Sequence, residues 1–208
     1  MGSKDGKRVV VFMDEANVYN DARRCFHSHA APSPHGRVWP MRFGRELVNR
    51  VPLGTSEPRA LEEVRVYTGQ PASTKQSKSY AAHRRQAAAW QKSGATVVAR
   101  PLRYPSDWPK SRPEQKGVDV QIAIDMVLMA IQDQLDIAIL ASTDTDLKPA
   151  LEAFYTLPFE SPKSVEVAAW KKGGFAKRLG VSGNHLWCHY LDEQAYQPLR
   201  DHRDYTQP

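Results

Sequence analysis

Short apolar runs alternate along the chain with longer segments that have helical spacing. Short runs rich in β-branched residues are typical of strands, and apolar residues that repeat every three or four positions are typical of helices. The pattern predicts strands at residues 8–13, 64–67, 95–99, 136–141 and 165–170, and helices at residues 41–50, 72–91, 117–132 and 147–154. Because strands that alternate with helices form parallel sheets covered on both faces, we expect an α/β fold with a central, mostly parallel sheet.

Two proline-rich stretches interrupt this alternation. Residues 26–40 carry three prolines and residues 100–113 carry four, so we expect two long loops, the first of them an insertion. Residues 1–7 and 194–208 are polar. We expect a flexible start and a loose C-terminal tail around one domain at residues 8–193.

The composition narrows the class of protein. The chain has 208 residues, 41% of them hydrophobic, which suits a globular domain with a sizeable core. No apolar run is long enough to span a bilayer, and the first residues lack the apolar stretch of a secretion signal, so no membrane partner is expected. Two distant cysteines, Cys25 and Cys188, do not make a disulfide framework, which favours the reducing cytoplasm. The net charge of +6 favours a polyanionic partner.

Four carboxylates are expected at one edge of the sheet. Asp14 directly follows the first strand, and Asp144 and Asp146 follow the fourth. Asp119 lies in the first turn of the helix that runs back to the start of the fourth strand, so it begins at the carboxyl edge, where open parallel sheets bind ligands. Clustered carboxylates repel one another unless cations neutralise them, and oxygen ligands suit Mg²⁺ or Mn²⁺. Such a cluster is typical of metal-assisted phosphodiester hydrolysis.

Each acid also has a structural interpretation. Asp119, Asp144 and Asp146 could cap helices or lie in their first turns, where carboxylates are favourable. Asp14 has no helix to cap unless one starts near Asn17. Asn17 itself could hold a metal-bound water, orient Asp14 or cap that helix, and the sequence does not separate these roles.

Six stretches of the chain together resemble the NYN domain family, a branch of the PIN-like ribonuclease superfamily that includes LabA-like proteins. In chain order they are VVVFMDEANVYN, VYTG, RPLRYP, KGVDVQIAIDMVLMA, DIAILASTDTDLKPALE and VEVAAW. KGVD followed at this distance by S-x-D-x-D-L is a specific combination. The resemblance implies a PIN-like three-layer α/β/α sandwich and a ribonuclease that depends on Mg²⁺ or Mn²⁺.

The resemblance also implies the site residues. By motif, the family's first acid falls on Asp14, its amide on Asn17, its helix acid on Asp119 and its final pair on Asp144 and Asp146. These five are the expected catalytic residues, and the four acids among them are the expected metal ligands.

Three features are more variable. Family members often have an acid at the position of Asp125, which makes it a further candidate ligand. However, Asp125 lies six residues beyond Asp119, about 9 Å along the helix and on another side of it. Many members have a glycine where this chain has Glu15, which either adds a ligand or faces solvent. The insertion at residues 26–40 leaves the choice of RNA open.

The segment between residues 75 and 116 is strongly basic and is the expected RNA-binding surface. Phosphate contacts from lysine and arginine dominate the affinity of proteins for nucleic acids. The best placed cations lie in the loop that leads to Asp119. Two more lie in the predicted helix at residues 72–91, although basic residues in the middle of that helix could simply face solvent and bind nothing. In chain order these candidates are Arg84, Arg85, Arg103, Arg112 and Lys116.

Two aromatic residues share that loop. Tyr104 and Trp108 could stack on unpaired bases, which favours single-stranded or loop regions of RNA. Lys116 could instead neutralise the acid cluster.

These features favour a metal-dependent endoribonuclease. The alternative is an RNA-binding module with a weak or silent site that acts in a larger assembly. Phosphotransfer through an aspartyl nucleophile at Asp14 needs a second acid two residues later, where the chain has Ala16. The CFHSH stretch at residues 25–29 lacks the spacing and the second ligand pair of a zinc finger. A homo-oligomer remains open.

Overall fold

In the part of the chain that the structure describes, six parallel strands form one sheet. The computed structural model describes residues 6–28, 30–32, 34–52, 54, 57–174 and 176–207. The strands are β1 (Lys7–Asp14), β2 (Arg59–Gln70), β3 (Thr96–Pro101), β4 (Ile137–Ala141), β5 (Ser164–Trp170) and β6 (Cys188–Leu191), and their order in the sheet is β3-β2-β1-β4-β5-β6. Every neighbouring pair is parallel, so the expected parallel α/β fold is confirmed.

Helices cover both faces of the sheet. They are α1 (Glu15–Phe26), α2 (Pro40–Asn49), α3 (Ser77–Lys92), α4 (Val118–Ile131), α5 (Lys148–Thr156) and α6 (Glu193–Tyr196), with short 3₁₀ helices at Thr145–Leu147 and Gln197–Leu199. None of the described helices has the length and apolar character needed to cross a membrane.

The alternation of side chains along β1 divides the core into two layers. Val9, Val11 and Met13 pack in one buried cluster with residues of α1, α2 and α3, and Val10 and Phe12 pack in the other with residues of α4 and α5. Successive residues of a strand point to opposite faces, so one apolar run supplies both layers.

Helix α1 and strand β6 are absent from the sequence prediction. Helix α1 buries only Val18, Asp21 and Ala22, so its apolar periodicity is too weak to identify. Strand β6 has four residues and includes a histidine, which falls below the length and apolar content of the other runs. The predicted strand at residues 64–67 is too short, because β2 continues through Gly69 and pairs there with β3.

The C-terminal segment is not loose, which corrects the expectation for residues 194–208. Tyr196, Leu199 and Tyr205 are buried, and Asp201 is fully buried. The Asp201 carboxylate accepts hydrogen bonds from Trp90 Nε1 at 3.2 Å and from the Tyr205 hydroxyl at 2.7 Å. Isolated aromatic residues in a polar stretch therefore anchor this segment to α3. Residues 1–5 and 208 lie outside the described residues.

Candidate functional site

The candidate site lies where the order of the strands reverses. From β1 the chain enters α1 on one face of the sheet, and from the adjacent β4 it enters α5 on the other. Doubly wound sheets open a crevice at the carboxyl ends of two such strands, and this crevice is their usual ligand site. Here the crevice is a cleft of about 580 Å³. Its lining includes Asp14, Asn17, Asn20, Gln115 and Asp144.

Asp14 is the most buried of the predicted site residues, with 9% of its surface exposed. Its Oδ1 accepts a hydrogen bond from the Asn17 backbone N–H at 3.1 Å and therefore caps α1, and its Oδ2 accepts one from the Ser142 hydroxyl at 3.1 Å. Burial raises the pKa of the Asp14 carboxyl, and the charges of Asp144 and Asp119 raise it further against these hydrogen bonds. Two of the other predicted acids, Asp119 and Asp144, thus lie within electrostatic range of Asp14.

The other predicted acids begin helices. Asp144 is half-buried, and its Oδ1 accepts a hydrogen bond from the Asp146 backbone N–H at 3.0 Å, which caps the 3₁₀ helix. Asp119 is half-buried in the first turn of α4, after Gly117 with a positive φ of 73°. Asp146 is exposed and is not part of the cleft lining. Catalytic and metal-binding roles for these residues stay predictions.

Asn17 joins α1 to the loop after β4. Its Oδ1 accepts hydrogen bonds from the Thr143 backbone N–H at 2.9 Å and the Thr143 hydroxyl at 3.0 Å. That hydroxyl also lies 2.9 Å from Asp21 Oδ2. Asp14, not Asn17, caps the helix, which removes one of the three roles considered for Asn17. The amide holds the loop that carries Ser142 and Asp144.

Asp125 has a different set of partners from the other acids. Its Oδ2 accepts hydrogen bonds from the Tyr67 hydroxyl at 2.8 Å and Arg65 Nη2 at 3.0 Å, and its Oδ1 accepts one from Gln121 Nε2 at 2.8 Å. These contacts tie α4 to β2 and neutralise Arg65. They give Asp125 a structural role, and its suggested role as a metal ligand stays a prediction.

Glu15 lines a second cleft instead of the first. Its Oε2 lies 3.5 Å from the Thr68 hydroxyl. Burial raises the pKa of Glu15 to about 7, with the charge of Asp14 adding to the shift and that of Arg37 opposing it. This second cleft, of about 780 Å³, also contains Lys78 and shares Gln115 with the first.

A third cleft adjoins the first on its other side. It has a volume of about 410 Å³ and shares Arg24 with the acidic cleft. Lys172 and Lys177 line it and are exposed. Basic side chains therefore flank the acids on both sides. The sequence analysis missed those on α1 and after β5, because they are distant in sequence from the basic segment at residues 75–116.

The predicted RNA-binding cations are either exposed or already in ion pairs and hydrogen bonds within the protein. Arg84, Arg103 and Arg112 are exposed. Lys116 Nζ lies 3.4 Å from a Glu114 carboxylate oxygen in an exposed ion pair, and its suggested neutralisation of the acid cluster stays a prediction. Arg85 donates hydrogen bonds to the carbonyls of residues 205 and 206 at 2.8 and 3.2 Å, which fastens the C-terminal segment to α3.

The two aromatic residues of the loop pack against each other. The ring centroids of Tyr104 and Trp108 lie 5.1 Å apart in an edge-on arrangement. The Tyr104 hydroxyl donates a hydrogen bond to Gln76 at 2.8 Å and accepts one from the Ala72 backbone at 2.9 Å, and Lys75 Nζ lies 4.7 Å from the ring centroid. Tyr104 therefore holds the loop against the residues before α3, and stacking on bases stays a prediction.

The donor atoms of the cleft suit a hard divalent cation. Within the described ranges, no three acidic, histidine or cysteine side chains lie close enough to form a ready-made metal site. Mg²⁺ commonly uses only one or two carboxylates and keeps waters or takes substrate phosphates as further ligands. The carboxylates of Asp14 and Asp144 in the cleft fit that mode of binding.

The CFHSH stretch at residues 25–29 contributes no acid to this cleft. Its His27 forms a hydrogen bond with the Tyr196 hydroxyl at 2.9 Å, and its His29 lies outside the described residues.

Comparisons with known proteins place the chain in a family. A crystal structure of a protein of unknown function from Vibrio parahaemolyticus is similar in fold, with a TM-score of 0.51 and 19% sequence identity over 81% of this chain and 84% of that chain. None of the curated proteins compared with the chain matches it. Residues 8–179 match the NYN domain. The chain therefore belongs to the NYN domain family.

Proposed function

We propose that this protein is a divalent-metal-dependent endoribonuclease that hydrolyses phosphodiester bonds in RNA. The NYN domain is a PIN-like domain linked to nuclease activity. The observation that supports the proposal is that Asp14 and Asp144 line one cleft at the switch point of the sheet, where the charges of Asp144 and Asp119 both raise the pKa of Asp14. Acids placed this way favour a bound cation, and a nuclease site needs one.

The residues of the cleft have distinct roles in this proposal. Asp14 and Asp144 hold a Mg²⁺ or Mn²⁺ ion, with Asp119 contributing charge beside them. When bound, the ion activates water and stabilises negative charge on the scissile phosphate. Asn17 fixes the loop of Asp144 through its two bonds to Thr143, so the two carboxylates keep their relative position.

Basic side chains on both sides of the acids bind the RNA backbone. Arg24 and Lys172 line the cleft on one side, and Lys78 lines the cleft on the other. Gln115 and Arg24 connect the three clefts into one path across the edge of the sheet. A single strand fits such a path because its phosphates can follow the cations while the scissile bond lies over the acids.

Cleavage of a fluorescently labelled single-stranded RNA tests the proposal. With Mg²⁺ or Mn²⁺ we expect cleavage that stops in EDTA and falls at least about 100-fold in Asp14→Asn and in Asp144→Asn, because charge at the reacting phosphate is then no longer balanced. Glu152→Gln is the matched control, since Glu152 is an exposed acid on α5. Absence of cleavage with every metal, or full activity of both site variants, contradicts the proposal.

One observation favours the alternative of an RNA-binding module with a silent site: in the described part of the chain, no three ligands are already gathered for a metal. This alternative predicts RNA binding that survives Asp14→Asn and weakens as salt rises. Charge reversal at Lys172 and Lys177 then lowers RNA affinity and the slope of its salt dependence. Fluorescence anisotropy at several salt concentrations measures both quantities, independently of cleavage.

A further inference from the structure

Helix α4 is apolar on the side that faces solvent as well as on the side that faces the sheet. Its buried residues are Val118, Ile122, Met126, Met129 and Ala130. Four other large aliphatic residues of the same helix are about half exposed: Val120 (56%), Ile124 (48%), Leu128 (46%) and Ile131 (54%). A helix that is apolar all round is normally covered on both sides.

These four exposed residues, here called the α4 stripe, form one continuous surface. At 3.6 residues per turn they fall within an arc of about 80° and extend for about 17 Å along the helix. The other large exposed apolar residues that the structure describes, Val51, Tyr155, Leu157 and Tyr190, belong to other segments. Single exposed apolar residues are ordinary, but a contiguous row on one helix indicates a contact surface.

The α4 stripe carries no charge. The charged residues of α4 are Asp119 and Asp125. Asp125 bonds to Arg65 and Tyr67 of β2, and Asp119 acts on Asp14 at the acidic cleft. A polar or charged partner would find nothing to recognise on such a surface, whereas a second aliphatic surface would fit it.

We propose that the α4 stripe is a homodimer interface in which a second copy of this chain packs its own α4 in the antiparallel direction about a two-fold axis. The spacing of the stripe suits this pairing. With the axis near Met126, Val120 of one copy faces Ile131 of the other, and Ile124 faces Leu128. The same four residues thus supply both halves of the contact, as a two-fold interface requires.

The size of the stripe sets the strength of the dimer. Two helices packed over about 17 Å bury on the order of 400–500 Å² from each copy, which is less than a stable dimer buries and is typical of weak, transient interfaces. We therefore expect a weak dimer that forms only at micromolar or higher concentrations of the protein. The stripe begins one residue after Asp119 at the carboxyl edge, so antiparallel pairing sets the two acidic clefts about 20 Å apart along the helix axis.

Sedimentation velocity over a range of protein concentrations tests the interface, whether or not the protein cleaves RNA. We expect the wild-type protein to dimerise between about 1 and 100 µM. Ile124→Glu/Leu128→Glu should weaken the dimer at least about 100-fold, because it sets four carboxylates against one another. Val51→Glu, which adds a charge at another exposed apolar residue, should leave the dimer unchanged. A wild type that stays monomeric at 100 µM, or that binds neutral lipid vesicles through the stripe instead, overturns the proposal.

Disulfide trapping tests the direction of pairing. A mixture of Ile124→Cys and Leu128→Cys proteins should form a mixed disulfide, since these positions face each other in the antiparallel arrangement. Val120→Cys should not link to itself, because its two copies lie about 16 Å apart along the axis. Efficient self-linking of Val120→Cys with no mixed disulfide shows a parallel arrangement and overturns the proposed antiparallel pairing. Far-ultraviolet circular dichroism confirms that each variant is folded.

Discussion

Replacing Asn17 by alanine removes the acceptor that holds the loop after β4. Asn17 Oδ1 accepts from the backbone N–H of Thr143 at 2.9 Å and from its hydroxyl at 3.0 Å. Thr143 is 4% exposed, so water cannot freely replace the lost acceptor. The hydroxyl keeps Asp21 Oδ2 at 2.9 Å, whereas the backbone N–H has no remaining acceptor among the described residues.

The expected loss follows from that one orphaned donor. A buried donor left without a partner costs about 1–3 kcal/mol, so we expect Asn17→Ala to lower the free energy of unfolding by about 2 kcal/mol. For a chain of this size that lowers Tm by about 4–8 °C. Because the loop also carries Asp144, the proposed cleavage should fall about 10–100-fold, as for other residues that orient a metal ligand.

Thermal unfolding followed by circular dichroism measures the change in stability. Asn20→Ala is the matched control, because Asn20 lies one turn along the exposed side of the same helix. The control should change Tm by less than about 1 °C. Equal Tm values for the two variants would show that the bonds to Thr143 contribute nothing, and the positioning role of Asn17 would be wrong.

Three further predictions concern stability away from the cleft, and urea unfolding measures each. Hydrogen bonds and charge from Arg8 lower the pKa of Asp136 to about 2. Its contribution of about 2 kcal/mol to the free energy of unfolding is therefore complete above about pH 5, falls progressively as the pH drops towards about 1, and is absent in Asp136→Asn. Asp201→Ala should lower the free energy of unfolding by about 3 kcal/mol, because it leaves the buried Trp90 N–H and the Tyr205 hydroxyl without their acceptor. Glu166→Gln should lower the free energy of unfolding by about 3–5 kcal/mol. The buried side chain of Arg59, which donates hydrogen bonds to Glu166 at 2.7 and 3.0 Å, loses its counter-charge in this variant. A variant whose urea-unfolding midpoint equals that of the wild type would contradict the estimate made for that variant.

The sequence predicts five of the six strands because each of them contains a short apolar run, and the run is continuous in the two central strands β1 and β4, which are buried on both faces. It misses α1 because the first turns of that helix serve the cleft: Asn17 and Asp21 hold Thr143, and these polar positions erase the apolar periodicity. It misplaces the C-terminal segment because Asp201 is buried, and a buried carboxylate cannot be recognised without its partners.

The basic surface was predicted from local density of charge, and local density does not show what a side chain contacts. Arg85 is committed to the C-terminal carbonyls. Arg24 and Lys172 reach the same edge of the sheet from elements almost 150 residues apart, which only the strand order brings together. Distance in sequence therefore hides the cations beside the cleft.

For the acids, the structural and the chemical interpretations turn out to be compatible. Asp14 and Asp144 each commit one oxygen to a backbone N–H at the start of a helix, and the second oxygen of Asp14 also accepts from the Ser142 hydroxyl. A carboxylate anchored by one oxygen has a fixed direction for the other, and a site needs that rigidity. Asparagine caps a helix as well as aspartate does, whereas alanine costs about 1 kcal/mol. Asparagine variants therefore remove the charge and keep the cap, so a loss of cleavage in them reports on chemistry, while alanine variants lose charge and cap together.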